Sequence, residues 1–364
     1  MSAGDKFIIP SMGAGTAVLM GQLSKGTGNT LNLPDGMVNI GGHGKGYLLN
    51  AQTNWDPLTA GNNDGSFSAF TLGDDIYLYA TQDPTGIAKI VASRNATYPD
   101  SKTAESTRKI GGFHYGRVRG ASDYGVPVDG GGTPYGTGWE ANVVEGIVPN
   151  SAWDLTNRPK CDPSGMVKVG SMWVDIYPTS AAEPVAVFNQ KLAAGKAQSA
   201  YGVTPLTGTE GLNWYTFTEL ARRSDKRMLS YEEWCAVAEG SPQGNAADNI
   251  NAWTKIENTG RTMTGAVYRA ISVNNVVECV GNVWEWTNCQ VVRSDNDVNW
   301  AYRDIMPGAE VGQIYMLSDT QFVNVLAGGH WARGELAGSR CAALDHNAWN
   351  VAAYIGVRFA CDNL

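Results

Sequence analysis

The 364-residue chain is poor in charge, in histidine and in clustered cysteine. Charged residues make up 17%, and acids outnumber bases 35 to 27, for a formal net charge of −8. A basic surface that could neutralise phosphates is therefore missing, so nucleic acid is not an expected partner. No apolar run approaches the length needed to cross a bilayer, so no membrane insertion is expected. The opening MSAGDKFIIPSMGAG has an early lysine but no apolar core and does not read as a secretory leader. Export by another route, or none, is the expectation. Cys161, Cys235, Cys279, Cys289, Cys341 and Cys361 lie far apart without a CxxC pair, which disfavours a zinc module or a thioredoxin-like site. Buried thiols are the simpler reading for most of them. The four histidines, His43, His114, His330 and His346, fit no HExxH pattern and stand beside no recognisable Ser or Cys nucleophile. Nothing favours a hydrolase, and no catalytic residue, metal or cofactor is expected.

Glycine is abundant instead, with 44 residues, and 12 tryptophans accompany it, which suits a β- and loop-rich chain with aromatic cores. The length allows two domains. Turn-rich SKGTGNTLNLPDGMVNIGGHGKGYLLN, followed by DDIYLYATQD and IAKIVAS, predicts hairpins of a sandwich- or prism-like all-β unit. GVPVDGGGTPYGTGW reads as a boundary loop. The expected division is a β-rich region over 1–150, with a linker at about 116–150, and a second domain over 151–364. GGHGKG at 41–46 lacks the glycine and hydroxyl of a phosphate loop, since Asn39 and Gly46 hold those places, and reads as a turn. NATY at 95–98 likewise reads as a turn rather than a glycosylation site.

Two helices are predicted in the second domain. YTFTELARRSDK has helical apolar spacing and a basic end. SYEEWCAVAEG has Ser230 as cap, Glu233 completing a capping box and Gly240 as stop. In ECVGNVWEWTN, at 278–288, Trp284 and Trp286 alternate and share one face of a strand, with Glu285 on the other. Paired core tryptophans are the simpler reading. A Ca²⁺ site using Glu278, Glu285 and nearby carbonyls is the less favoured one.

Three blocks, KRMLSYEEWCAVAEG, VGNVWEW and NVLAGGHW…GSRCAAL…IGVRFACD, resemble in order the formylglycine-generating-enzyme branch of the C-type lectin fold. That resemblance implies an α+β class, with two helices, irregular small sheets and long loops at the C-terminus after an all-β N-terminal region. RKIGGFHYG, WDLTNRPKCDPSGMVKVGSMWVDIY and the final GVRFACDNL further resemble the major tropism determinant family, phage receptor-binding tail proteins diversified by a retroelement. This likeness is expected from about residue 70 onward, with the first 50 or so residues unmatched. An enzyme of the oxidase branch would need a cysteine pair soon after GGHW, and residues 331–337 contain no thiol.

The resemblance implies a receptor-binding protein on a virion tail tip, made in the host cytoplasm, homotrimeric, and binding a host cell-surface receptor, a protein, without chemistry. A cell-associated variable protein is the alternative, and a formylglycine-generating-type enzyme a more distant one. It also implies that GGHWARGELAGSRCAALDHNAWNVAAYIGVRF, at 328–359, is the variable region. The matching ligand-binding positions are His330, Ala332, Gly334, Leu336, Ala343, Asp345, His346, Asn350, Ala352, Tyr354, Ile355 and Phe359. Adenine randomisation of AAC and AAT codons cannot produce Trp, Met, Lys, Glu or Gln, and none stands at these places, whereas Trp331, Glu335 and Trp349 fall between them. Spacing by two at 330–336 and 350–354 predicts extended segments projecting these side chains to one side. His330, Asp345, His346, Asn350, Tyr354 and Phe359 are expected to be exposed together, over a supporting layer of Trp284, Trp286, Trp331, Arg340 and Arg358. Cys341 and Cys361 are expected to be neighbours in the fold's last strands.

Overall fold

The computed structural model describes residues 17–41, 46–119, 143–292, 300–304, 312–316 and 322–364. The turn centred on His43 and the boundary loop over 125–139 lie outside them. The described chain is mostly β, with small sheets and two short α-helices, so its helical share is smaller than an α+β class suggests. No helix among the described residues is long and apolar enough to cross a membrane. By contacts, the chain divides into a unit of 1–116, 145–159 and 363–364, and a unit of 117–144 and 160–362.

The first unit is built on strand Asp75–Thr81, which pairs antiparallel with Lys89–Ser93 on one side and Thr107–Arg119 on the other. Its β-branched and aromatic composition suits a strand covered on both faces, and residues from Ile76 to Thr81 are all buried. Ile76, Leu78 and Ala80 enter a core with Leu31, Val38, Ile40 and Phe113. Two three-stranded sheets complete the unit, one of Ala17–Met20, Asp35–Asn39 and Gly46–Leu49, the other of Ser24–Lys25, Leu31–Leu33 and Gln52–Trp55. The hairpins expected from the turn-rich stretch are thus real elements.

The second unit holds a four-stranded sheet ordered Met166–Val169, Met172–Asp175, Phe359–Asp362, Arg227–Met228. Beside it are a hairpin, Ser180–Phe188 with Lys191–Gln198, and a six-stranded sheet containing Trp284–Val292, Phe322–Ala327 and Ala342–His346. Helix α1, Trp214–Arg223, is capped by Asn213, whose side chain accepts from Thr216 N–H. Helix α2, Tyr231–Val237, begins with the expected Ser230–Glu233 capping box but ends before Gly240.

The GNVWEW strand follows its alternation. Trp284 and Trp286, each 1% exposed, enter the core with Phe217, Val357 and Phe359. Glu285 turns the other way and meets Arg358, with Oε1 2.8 Å from Nη2, while Trp234 Nε1 donates to Oε2 at 2.7 Å. Arg358 also donates to the carbonyls of Asp175, Ile176 and Val277. Glu278 accepts from Gly265 N–H and Asn282 Nδ2. Both carboxylates considered for Ca²⁺ are therefore engaged by protein donors in a buried setting. Burial pushes Glu278 up to about 7.

The expected Cys341–Cys361 contact is replaced by another. Cys361 lies in the four-stranded sheet, and Cys161 N–H donates to its Sγ at 3.3 Å. Cys341 instead sits fully buried at the start of the strand Ala342–His346, in the core of the six-stranded sheet. Closeness in sequence did not carry the two cysteines into the same sheet.

Candidate binding site

The stretch over 328–359, expected to be variable, starts from two glycines, Gly328 and Gly329, at φ 94° and 90°. This left-handed backbone favours glycine, and a Cβ on Gly329 would stand 2.5 Å from that of Ala337. Asn282, itself at φ 62°, lies beneath. Its carbonyl accepts from Trp331 N–H and its side chain bridges Thr262 and Glu278. Asn and Gly tolerate this conformation, so the GN of GNVWEW is the turn that seats the variable stretch. Sequence reasoning used those letters only as a motif.

The expected extended segments are absent. Residues 331–332 form a turn and Gly334–Leu336 a 3₁₀ turn, so spacing by two does not sort their side chains. Gly334 is buried at φ 56°, and its N–H donates to Thr254 O. Residues 350–352 lie between turns at 348–349 and 353–354, and the parity there is reversed. Trp349 at 58%, Val351 at 51% and Ala353 are exposed, whereas Asn350, Ala352 and Tyr354 are half-buried.

The structure separates the twelve sequence-predicted positions into two groups. His330, Ala332, Leu336, Asp345, His346, Asn350, Ala352 and Tyr354 are partly accessible. Gly334, Ala343, Ile355 and Phe359 are buried, the last at 0% exposure against Met228 and the Trp286 core, which corrects the expected exposure of Phe359. Of the expected supporting layer, Trp284, Trp286 and Arg358 are buried, while Trp331 and Arg340 are half-buried. Arg340 reaches Cys235 O and Glu239 Oε2.

Asp345, His346, Asn350, Ala352 and Tyr354 line an open basin of about 450 Å³, together with Val351, Trp300 and Tyr315. A chain of polar contacts crosses it. His346 Nδ1 is 2.7 Å from Asp345 Oδ1, and Nε2 is 3.1 Å from Tyr354 Oη. The His346 ring packs between Trp286 at 6.4 Å and Tyr354 at 5.8 Å. Tyr354 is also 4.9 Å from the His330 ring, which in turn meets Trp284. Burial, with Arg333 and His346 adding to it, lowers His330 to about 3, so it stays neutral near pH 7. Burial raises the Tyr354 phenol, with Asp345 adding to it. A phenol that keeps its proton is a hydrogen-bond donor and a poor nucleophile, so this chain of groups is suited to holding a ligand. Sequence reasoning missed Trp300 and Tyr315, stacked at 5.2 Å, and Arg333, whose guanidinium lies 5.9 Å from the Tyr315 ring centre. The aromatic richness of NWAYRD was the only signal for that wall.

Comparison with known proteins follows the same line. Residues 22–140 match a family described as the Mtd second domain. A tail fiber receptor-binding protein of Bordetella phage BPP-1 is 28% identical over 306 residues, covering 81% of this chain and 73% of that protein. The major tropism determinant M1 variant matches with TM-score 0.65 at 25% identity, over 96% of this chain and 86% of its own. The I1 variant matches with TM-score 0.64 at 26% identity, over the same shares. The chain is thus major-tropism-determinant-like in sequence and in fold. The likeness begins well before residue 70, because short glycine-punctuated strands keep their fold while retaining little recognisable motif.

Proposed function

We propose that this chain is a receptor-binding tail protein whose diversified C-terminal face binds a molecule on a host cell. The observation that carries the reading is the basin lined by Asp345, His346, Asn350, Ala352 and Tyr354. The chain is similar over most of its length to a named tail fiber receptor-binding protein, and residues matching the family's variable positions line the basin. In this reading, 151–364 is a C-type lectin domain of the formylglycine-generating-enzyme branch, and the β-rich region before it serves assembly on a virion tail as a homotrimer. Repeated copies would raise effective concentration at the cell surface. The ligand is a host surface protein, held without chemistry.

The ligand-facing set is narrower than the twelve positions. Asp345, His346, Asn350 and Tyr354 offer rings and polar groups at the basin, and His330 packs on the Tyr354 ring. Tyr354 combines a large area with few rotors and a phenol donor, which makes it the expected anchor. Buried Ala343, Ile355 and Phe359 instead belong to the core beneath the face. The test is a cell-adsorption assay with the fluorescently labelled chain across candidate host strains. Tyr354→Ala should lose at least about tenfold in binding to a strain that the parent chain labels, with a cooperative melt retained. Equal labelling by the two proteins would refute the reading. Sequencing around the gene should also find a near-copy of the 328–359 coding stretch, differing at adenines, beside a reverse-transcriptase gene.

A further inference from the structure

Cys161 and Cys361 meet although 200 positions separate them. Strand Phe359–Asp362 places Cys361 opposite Trp173 of strand Met172–Asp175. The segment around Cys161 runs beside it, with Lys160 N–H donating to Asp362 O at 3.2 Å and Cys161 N–H donating to Cys361 Sγ at 3.3 Å. The thiol of Cys161 also lies against Met166 Sδ and Asp162 O, so it is held in place rather than turned to solvent. All six cysteines are free thiols in this structure. We propose that Cys161 and Cys361 are a disulfide-forming pair, joined when the folded chain leaves a reducing compartment for an oxidising one.

The surroundings divide the labour between the two sulfurs. The interaction between the two thiols holds Cys361 below the ordinary thiol range and Cys161 above it, with the Cys161 N–H directed at Cys361 Sγ and Cys361 Sγ itself 3.5 Å from Asp225 O. Lys226, paired to Asp175 at 2.5 Å, adds positive charge near Cys161. Burial pushes Cys279 and Cys341 up to about 12 and also raises Cys235 and Cys289. Of the pair, Cys361 is therefore the thiol that ionises more readily; with Cys361 4% and Cys161 7% exposed, a small disulfide reaches it on local opening of the segment around Cys161. Its thiolate attacks one sulfur of a small-molecule disulfide, breaking that bond and releasing one thiolate. Cys161 then gives its proton to that thiolate and attacks Cys361 Sγ, expelling the second small thiolate, which takes a proton from water. The protein thiols are oxidised, and the small disulfide is reduced to two thiols. The bond would tie the segment that re-enters the second unit at residue 160 to that unit's last strand, closing a long loop and restricting the unfolded chain. This inference rests on the geometry of the pair and does not depend on the ligand reading.

The test uses the purified full chain at neutral pH with excess oxidised glutathione, followed by digestion without reduction and mass spectrometry. Peptides carrying Cys161 and Cys361 should be recovered cross-linked. The unfolding midpoint should rise by on the order of 5–10 °C and fall back with dithiothreitol. In Cys161→Ser the rise should vanish, with glutathione left on Cys361 as a mixed disulfide. Peptide mapping of the unmutated chain stands even if that variant fails to fold. Recovery of Cys361 joined to Cys341 or another cysteine, or of both thiols unjoined after prolonged oxidation, overturns the proposal.

Discussion

Strand Trp284–Val292 and the turn over 347–354 meet at the ring of His346, which packs on Trp286 from one side and Tyr354 from the other. Each carries a pair of large apolar side chains two residues apart, Trp284 and Trp286 in the strand, Trp349 and Val351 in the turn. In the strand the alternation has consequences, because pairing with Ile355–Val357 and Phe322–Ala327 fixes which face each residue takes. Trp284 and Trp286 go into the core, and Glu285 goes to Arg358. In the turn no ladder fixes the faces, and the side chains expected outward are half-buried while Trp349, Val351 and Ala353 are exposed. The period of two survives in both places, but only in the strand do ladder partners decide which parity faces inward.

The contrast predicts very unequal costs of substitution. The largest belongs behind the strand. Arg358→Ala leaves Glu285 buried without its cation and removes donors from three carbonyls, so urea unfolding should show a loss of about 3–5 kcal/mol. A loss below about 1 kcal/mol would erase the distinction between the two regions.

An intermediate effect is expected at Glu278, at the foot of the same strand. Its carboxyl is raised to about 7 in the folded chain, against 4.5 ordinarily. Between those values the folded state keeps a proton that the unfolded state has released, so stability falls as pH rises from about 4.5 through 7. The full span is on the order of 3 kcal/mol. Unfolding of Glu278→Gln beside the unmutated chain, from pH 4.5 to 8, should show this slope only in the latter. Parallel curves would mean that Glu278 binds its proton equally tightly in the folded and unfolded chains.

The smallest effect belongs to the turn. Val351→Ser, at a position 51% exposed, should leave the unfolding free energy within about 0.5 kcal/mol. A larger loss in a thermal melt would place Val351 with the supporting strand instead of the displayed rim.

Legibility followed the range of the interactions concerned. The Ser230–Glu233 capping box was readable because cap and partner are three residues apart. The Trp284, Glu285 and Trp286 alternation was readable because one strand contains it. Phe359 was misjudged because a codon pattern carries no information about burial. That residue is covered through pairing with Met228, far away in sequence. Trp300 and Tyr315 were passed over for a similar reason, since they reach the basin only when strand Gln313–Met316 pairs with Ala342–His346.

By itself, the sequence determined the β-rich character, the two helix starts, the inward tryptophans and the family resemblance, all of which depend on local periodicity or on short motifs. The tertiary structure decided which variable positions are accessible, where Glu278 and Glu285 spend their oxygens, and that Cys361 faces Cys161 instead of Cys341. Those outcomes depend on contacts between residues remote in the chain, because burial and pairing are properties of the packed strands and not of any one segment.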